Sequence, residues 1–211
     1  MRFLLPAAAL TLLCACSSME RTLNREGAII DQPARDWHLV ATDADRARLR
    51  DWRGAFVEGL AAARRSGAGA KVDAEGALLA PDAALPGPAI PNGTYNCRVT
   101  KLGAKSAGLL DYIAYPAFTC RVRAERGLQG LAKLSGSQRQ VGLIFPGDAL
   151  RTIFLGTLML SDENRAMQYG GDPDRDVAGY VERIGPRRWR LLIPRPTFES
   201  QIDVIELVPA G

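Results

Sequence analysis

Few residues in this chain have types and spacings suited to chemistry. Cys97 and Cys120 are thiols in the body of the protein, each centred in a short alternation, Tyr95-Asn96-Cys97-Arg98-Val99 and Phe118-Thr119-Cys120-Arg121-Val122. Two such thiols serve either as a redox pair or as a crosslink. Redox work favours Cys-x-x-Cys spacing or a cationic cluster that lowers a thiol pKa, and neither occurs here. Asp172, Asp174 and Asp176 alternate in Gly170-Gly171-Asp172-Pro173-Asp174-Arg175-Asp176, as the oxygens of calcium loops do. Against a metal role, Val177 stands where an EF-hand needs glycine, and Glu182 falls one position early for the closing ligand. Arg175 also neutralises part of the charge, so a solvated turn is expected and these three remain weak metal candidates. Asp162 and Glu163 are acids that a hydrolase would use. His38 is the sole histidine and lies near no recognisable nucleophile. No phosphate loop, dinucleotide fingerprint or Gly-x-Ser-x-Gly elbow occurs. The expectation is a protein without a catalytic set and without a cofactor.

The first residues are an address. Met1-Arg2 gives a positive start, and Phe3 to Leu13 form an apolar run shorter than the about 20 residues that a membrane helix needs. Leu13-Cys14-Ala15-Cys16 looks like a bacterial lipobox, with a small residue before the cut and the Cys16 thiol as lipid acceptor. Residues 1–15 are therefore expected to be a signal peptide, and residues 16–36 a lipidated tether. Ser17 and Ser18, with no Asp beside Cys16, favour the outer membrane, with the inner membrane as the alternative. The periplasm is oxidising, so a Cys97–Cys120 disulfide is the expected state of the body thiols if their strands are neighbours.

The elements that position these residues follow from periodicity. Thr42 precedes Asp43 and Asp45, an N-cap with acids in the first turn. Leu49, Trp52, Phe56, Leu60 and Ala63 then recur every three or four residues, which predicts one helix over 43–66, closed by Gly67 and packed on the protein's own core. Residues 37–92 thus form a helical segment followed by a Gly-, Ala- and Pro-rich connector. From Gly93 the period becomes two. Strands are expected at 93–100, 118–123, 128–134, 140–145, 151–160, 176–184, 188–193 and 203–208, with Gly185-Pro186-Arg187 turning one hairpin. Residues 109–116, Leu109 to Pro116, are an apolar, aromatic connector expected to fold over one end of the strands. Mainly β structure with an N-terminal helix (α+β) follows, with residues 93–209 as an antiparallel barrel of about eight strands, or a β-sandwich.

The segments Cys97-Arg98, Phe118-x-Cys120-Arg121, Lys133-Leu134-x-Gly136-Ser137-Gln138-Arg139, Glu182-Arg183-Ile184-Gly185 and Pro194-Arg195-Pro196 carry a resemblance to a proteobacterial family, domain of unknown function 4893. That resemblance implies no activity, cofactor or site residue. Gly93-Thr94-Tyr95 is also faintly similar to the opening Gly-x-Trp of lipocalins, with Arg188 or Arg190 in the place of the arginine that covers the ring. The net charge of +4 is spread among acids, so nucleic acid is not an expected partner. The function expected is non-enzymatic: a periplasmic protein, held to the membrane by lipid on Cys16, that binds an apolar small molecule or an envelope protein.

Overall fold

The structure is a computed structural model that describes residues 35–211. Cys16, the expected signal peptide and the expected tether up to residue 34 lie outside the described residues. Helix α1, Asp43–Arg50, begins where the sequence places it, with the Asp45 backbone N–H donating to Thr42 Oγ1 at 3.2 Å. The single helix expected over 43–66 is broken and longer. Asp51 interrupts it with φ −88° and ψ 8°, α2 runs Trp52–Ala63, and α3 runs Gly69–Ala74. Gly67 adopts the left-handed conformation of a helix end, φ +89°, yet the chain re-enters helix beyond it. Re-entry buries Val72 against the sheet.

The strands are β1 Gly93–Ala104, β2 Tyr112–Ala114, β3 Phe118–Glu125, β4 Leu128–Lys133, β5 Gln138–Phe145, β6 Arg151–Leu160, β7 Asp176–Gly185, β8 Arg188–Pro194 and β9 Ser200–Pro209. All pairings are antiparallel, in the order β2-β1-β3-β4-β5-β6-β7-β8-β9. The last strand then pairs with β1, from Tyr95↔Pro209 to Ala104↔Ser200. Eight strands therefore close into a barrel, which excludes the sandwich and leaves no long free edge. The short β2 pairs with the distal half of β1. Residues 109–116, expected to fold over one end of the strands, also add a short strand there. Leu109 and Leu110 stay 43% and 66% exposed, while Tyr115 packs against the barrel core.

Alternation decides what each strand contributes. One face points inward and carries Tyr95, Cys97, Val99, Cys120, Val122, Leu131, Ile144, Phe154, Leu191 and Ile205. Cys97 and Cys120 are joined by a disulfide with Cα atoms 5.8 Å apart. They sit diagonally, since Cys97 is the register partner of Phe118 and Tyr95 that of Cys120. The Tyr95 ring meets Trp189 edge-on at 6.3 Å, so a tryptophan holds the position expected of Arg188 or Arg190. Arg188 binds Glu206 instead, and Arg190 is buried beneath the helices.

The outward face is also buried where helices cover it. Phe56, Ala63 and Val72 pack on Leu102, Leu192, Ile202 and Val204. Helix α2 sits closest at Gly59, where a Cβ would lie 3.0 Å from Leu102. Leu49 of α1 joins a separate cluster with Phe145, Leu155 and Tyr169. Between the layers, the fully buried Arg190 and Glu182 form an ion pair at 2.6 Å. Arg190 Nη1 also donates to the carbonyls of Ala77, Leu78 and Ala80.

Candidate functional site

The acids singled out from the sequence are engaged separately. Asp172 Oδ1 accepts from the Asp174 backbone N–H at 3.0 Å, and Asp176 Oδ1 accepts from Gly170 N–H at 2.8 Å. Burial raises the Asp176 pKa. Among the described residues no group of three or more His, Cys, Asp or Glu side chains gathers as a metal site. Glu163 is held by Arg175 at 3.0 Å and by the Leu160 N–H. The Arg175 hydrogen bond keeps the Glu163 carboxyl below its ordinary range, whereas a general acid needs the opposite shift. Asp162 is exposed. His38 is exposed as well, stacked on Trp37 and bonded to Asp36 at 2.7 Å.

The two ends of the barrel differ. At the end where β1 finishes, the interior closes on polar contacts. Lys101 Nζ lies 2.8 Å from Asp203 and 3.2 Å from Glu199, and Ser200 Oγ donates to Asp203. Lys133 Nζ donates to the carbonyls of Ser135 and Gln138 and lies 3.8 Å from the centre of the Phe118 ring. Burial pushes its amine down to about 8, helped by the nearby Lys101 charge. The void here is about 20 Å³, room for one water beside the unpartnered Gln140 Oε1.

The mouth where β1 begins holds a cavity of about 500 Å³. A strap entering β1, residues 85–90, forms one wall, and the β5–β6 loop, residues 146–150, forms another. Its floor is the end of the barrel core, with Ile144, Val181 and Trp189. The strap is pinned by Leu85 N–H to Arg183 O at 2.8 Å and by Arg183 Nη2 to Pro86 O at 2.6 Å. Gln129 Nε2 donates to Ile90 O at 2.8 Å, and the Tyr95 hydroxyl to Pro91 O at 2.6 Å. Proline and glycine suit this path, because a strap across a mouth has no ladder partner to satisfy its N–H groups. The loop is shaped by Asp148, whose Oδ1 accepts from the N–H groups of Leu150 and Arg151, both at 2.8 Å.

Two donors at this mouth lack partners. Arg183 Nε and Trp189 Nε1 are buried and make no hydrogen bond. They belong to register partners on β7 and β8, so the side chains leave the sheet together. Trp189 is 4% exposed. Arg183 makes no ion pair among the described residues. Neither residue stood out in the sequence. The one available signal was parity: Arg183 continues the inward series Val177, Gly179 and Val181, which puts a charge on an apolar face.

A closed antiparallel barrel, filled at its middle, plugged by ion pairs at one end and hollow at the other, with helices over its outer face, defines the class as a small β-barrel with a mouth pocket. Within that class, the chain belongs to the family of the domain of unknown function DUF4893, whose model matches residues 37–207. No curated protein and no solved structure matches it.

Proposed function

We propose that this is a lipid-anchored periplasmic protein that binds an apolar small molecule in the hollow mouth of its barrel and catalyses no reaction. The observation that carries the reading is the cavity of about 500 Å³, whose volume and mixed lining suit a small-molecule site. The lipobox ending at Cys16 supports the anchor, which places lipid on the protein and the membrane as its partner. The Cys97–Cys120 disulfide suits an oxidising compartment. The test is extraction: the protein purified from its own membrane in mild detergent yields about one equivalent of an apolar compound per chain. A chain that yields none, with its mouth collapsed, overturns the reading.

A second reading is docking to another envelope protein through residues 109–116, supported by the exposure of Leu109 and Leu110. Crosslinking in cells then captures one reproducible neighbour, and deletion of the segment abolishes it.

A further inference from the structure

The mouth also indicates what kind of head group its occupant carries, an inference that rests on the ligand-binding reading above. Arg183 Nε–H and Trp189 Nε1–H are two donors from adjacent, register-paired residues, and both residues line the cavity. Each is closed off from solvent and bonded to nothing. Leaving a buried donor unpaired is costly, and a pair of them side by side calls for an acceptor.

The acceptor is an anion on charge grounds. The Arg183 guanidinium bonds two neutral carbonyls, those of Pro86 and Gly185, and no carboxylate among the described residues. Arg151 adds a second guanidinium to the lining, bonded to Glu182 at 2.6 Å. Asp148, the acid on this rim, is already committed to the N–H groups of its own loop. The rest of the lining includes Gln129 and Thr152 and an apolar part made by Leu85, Ile90, Ile144, Phe145, Leu150 and Val181.

The path to the donors runs through the strap. At Gly87, φ is +141° and an added Cβ would lie 2.9 Å from Arg183 Nε, so the glycine backbone lies flat on the guanidinium. Residues 85–89 are all exposed, so their own side chains give up little burial when the strap swings aside. We infer that the mouth takes an amphiphile with a carboxylate head and an acyl-type tail. The head displaces Gly87 to accept from Arg183 Nε–H and Trp189 Nε1–H, and the tail lies on the apolar wall.

Equilibrium dialysis of the full exported chain carrying Cys16→Ser, so that it is free of the anchor, decides this. The probes are dodecanoate, dodecanol and acetate, each below any micelle concentration. Dodecanoate is expected to bind at one equivalent, dodecanol at least tenfold more weakly, and acetate not measurably. Arg183→Met and Trp189→Phe each weaken dodecanoate about tenfold or more, the loss of one charge-assisted hydrogen bond, and leave dodecanol unchanged. Trp189→Phe keeps an aromatic ring against Tyr95, so it decides the matter if Arg183→Met does not fold. Equal affinity for dodecanol and dodecanoate, or full dodecanoate affinity in Trp189→Phe, overturns the head group while the mouth remains a ligand site. Acetate binding as tightly as dodecanoate overturns the amphiphile. Failure of both long-chain probes overturns this inference and the ligand-binding reading together.

Discussion

Lys133 is an amine drawn into the barrel with carbonyls for partners and no carboxylate among the described residues, and its protonation has a cost that pH can expose. Its native pKa is pushed down to about 8 from an ordinary 10.5. Between those values the unfolded chain holds a proton that the native chain has released, so this residue's contribution to stability improves as pH rises. Urea unfolding from pH 7.5 to 10.5 should show the wild type gaining on Lys133→Met across that window. A constant or shrinking difference contradicts the assignment. The disulfide is the other residue-scale test. Its cysteines are 23 residues apart, and a closed loop of that size stabilises a fold by roughly 3 kcal/mol in the chain-entropy model. Joint replacement of Cys97 and Cys120 by alanine should lower unfolding free energy by about that amount, measured by urea titration. The cysteines were legible because each sits on the apolar phase of an alternating strand. The Arg183 and Trp189 donors were not. A missing hydrogen bond is a property of folded neighbours 85 to 90 and 146 to 150, far away in the chain.

Among the elements, the helices are fastened to the barrel by burial, by ion pairs such as Arg195–Glu58 and Arg98–Glu75, and by the fully buried Arg190. Arg190 replaces the absent strand neighbour of the turn at Gly76–Leu79 with a donor to its carbonyls. Arg190→Met strands those carbonyls and leaves Glu182 with Arg151 alone, a loss of about 3–5 kcal/mol for breaking a buried pair. Thermal unfolding monitored by circular dichroism checks it, and adding Glu182→Leu should restore part of the loss, since apolar replacement of both partners is tolerated. An Arg190→Met variant as stable as the parent would show that Arg190 adds nothing net to the docking of the helices. Strand phase was readable in the long alternations of β1 and β3, and β6 matches its expected limits, Arg151–Leu160. Three features were hidden. The strand β2 is a three-residue element inside an unbroken apolar run, where period two has no room to show. The bend at Asp51 falls at a residue whose carboxylate accepts from Arg195 at 2.8 Å, a partner 144 residues away in the chain. Gly67 carries the left-handed angle of a helix end but no end follows, because Val72 still has a surface to cover.

At the scale of the whole molecule, closure explains why the chain needs so little else. Pairing of β1 with β9 removes the exposed edges, the core fills the middle, and ion pairs plug one end. The mouth framed by the strap and the β5–β6 loop holds two buried donors without partners, Arg183 Nε and Trp189 Nε1, beside apolar side chains. The anchor is tested separately: Cys16→Ser should move the protein from the membrane fraction to the soluble envelope fraction, and unchanged fractionation would refute lipidation at Cys16. The most direct measurement is a crystal structure of the Cys16→Ser chain with bromododecanoate, read by the anomalous signal of bromine. Bromine density inside the mouth, with the carboxylate within hydrogen-bond distance of Arg183 Nε and Trp189 Nε1, is the predicted result. Density elsewhere, or a mouth that stays empty with the strap in place at saturating probe, would contradict it.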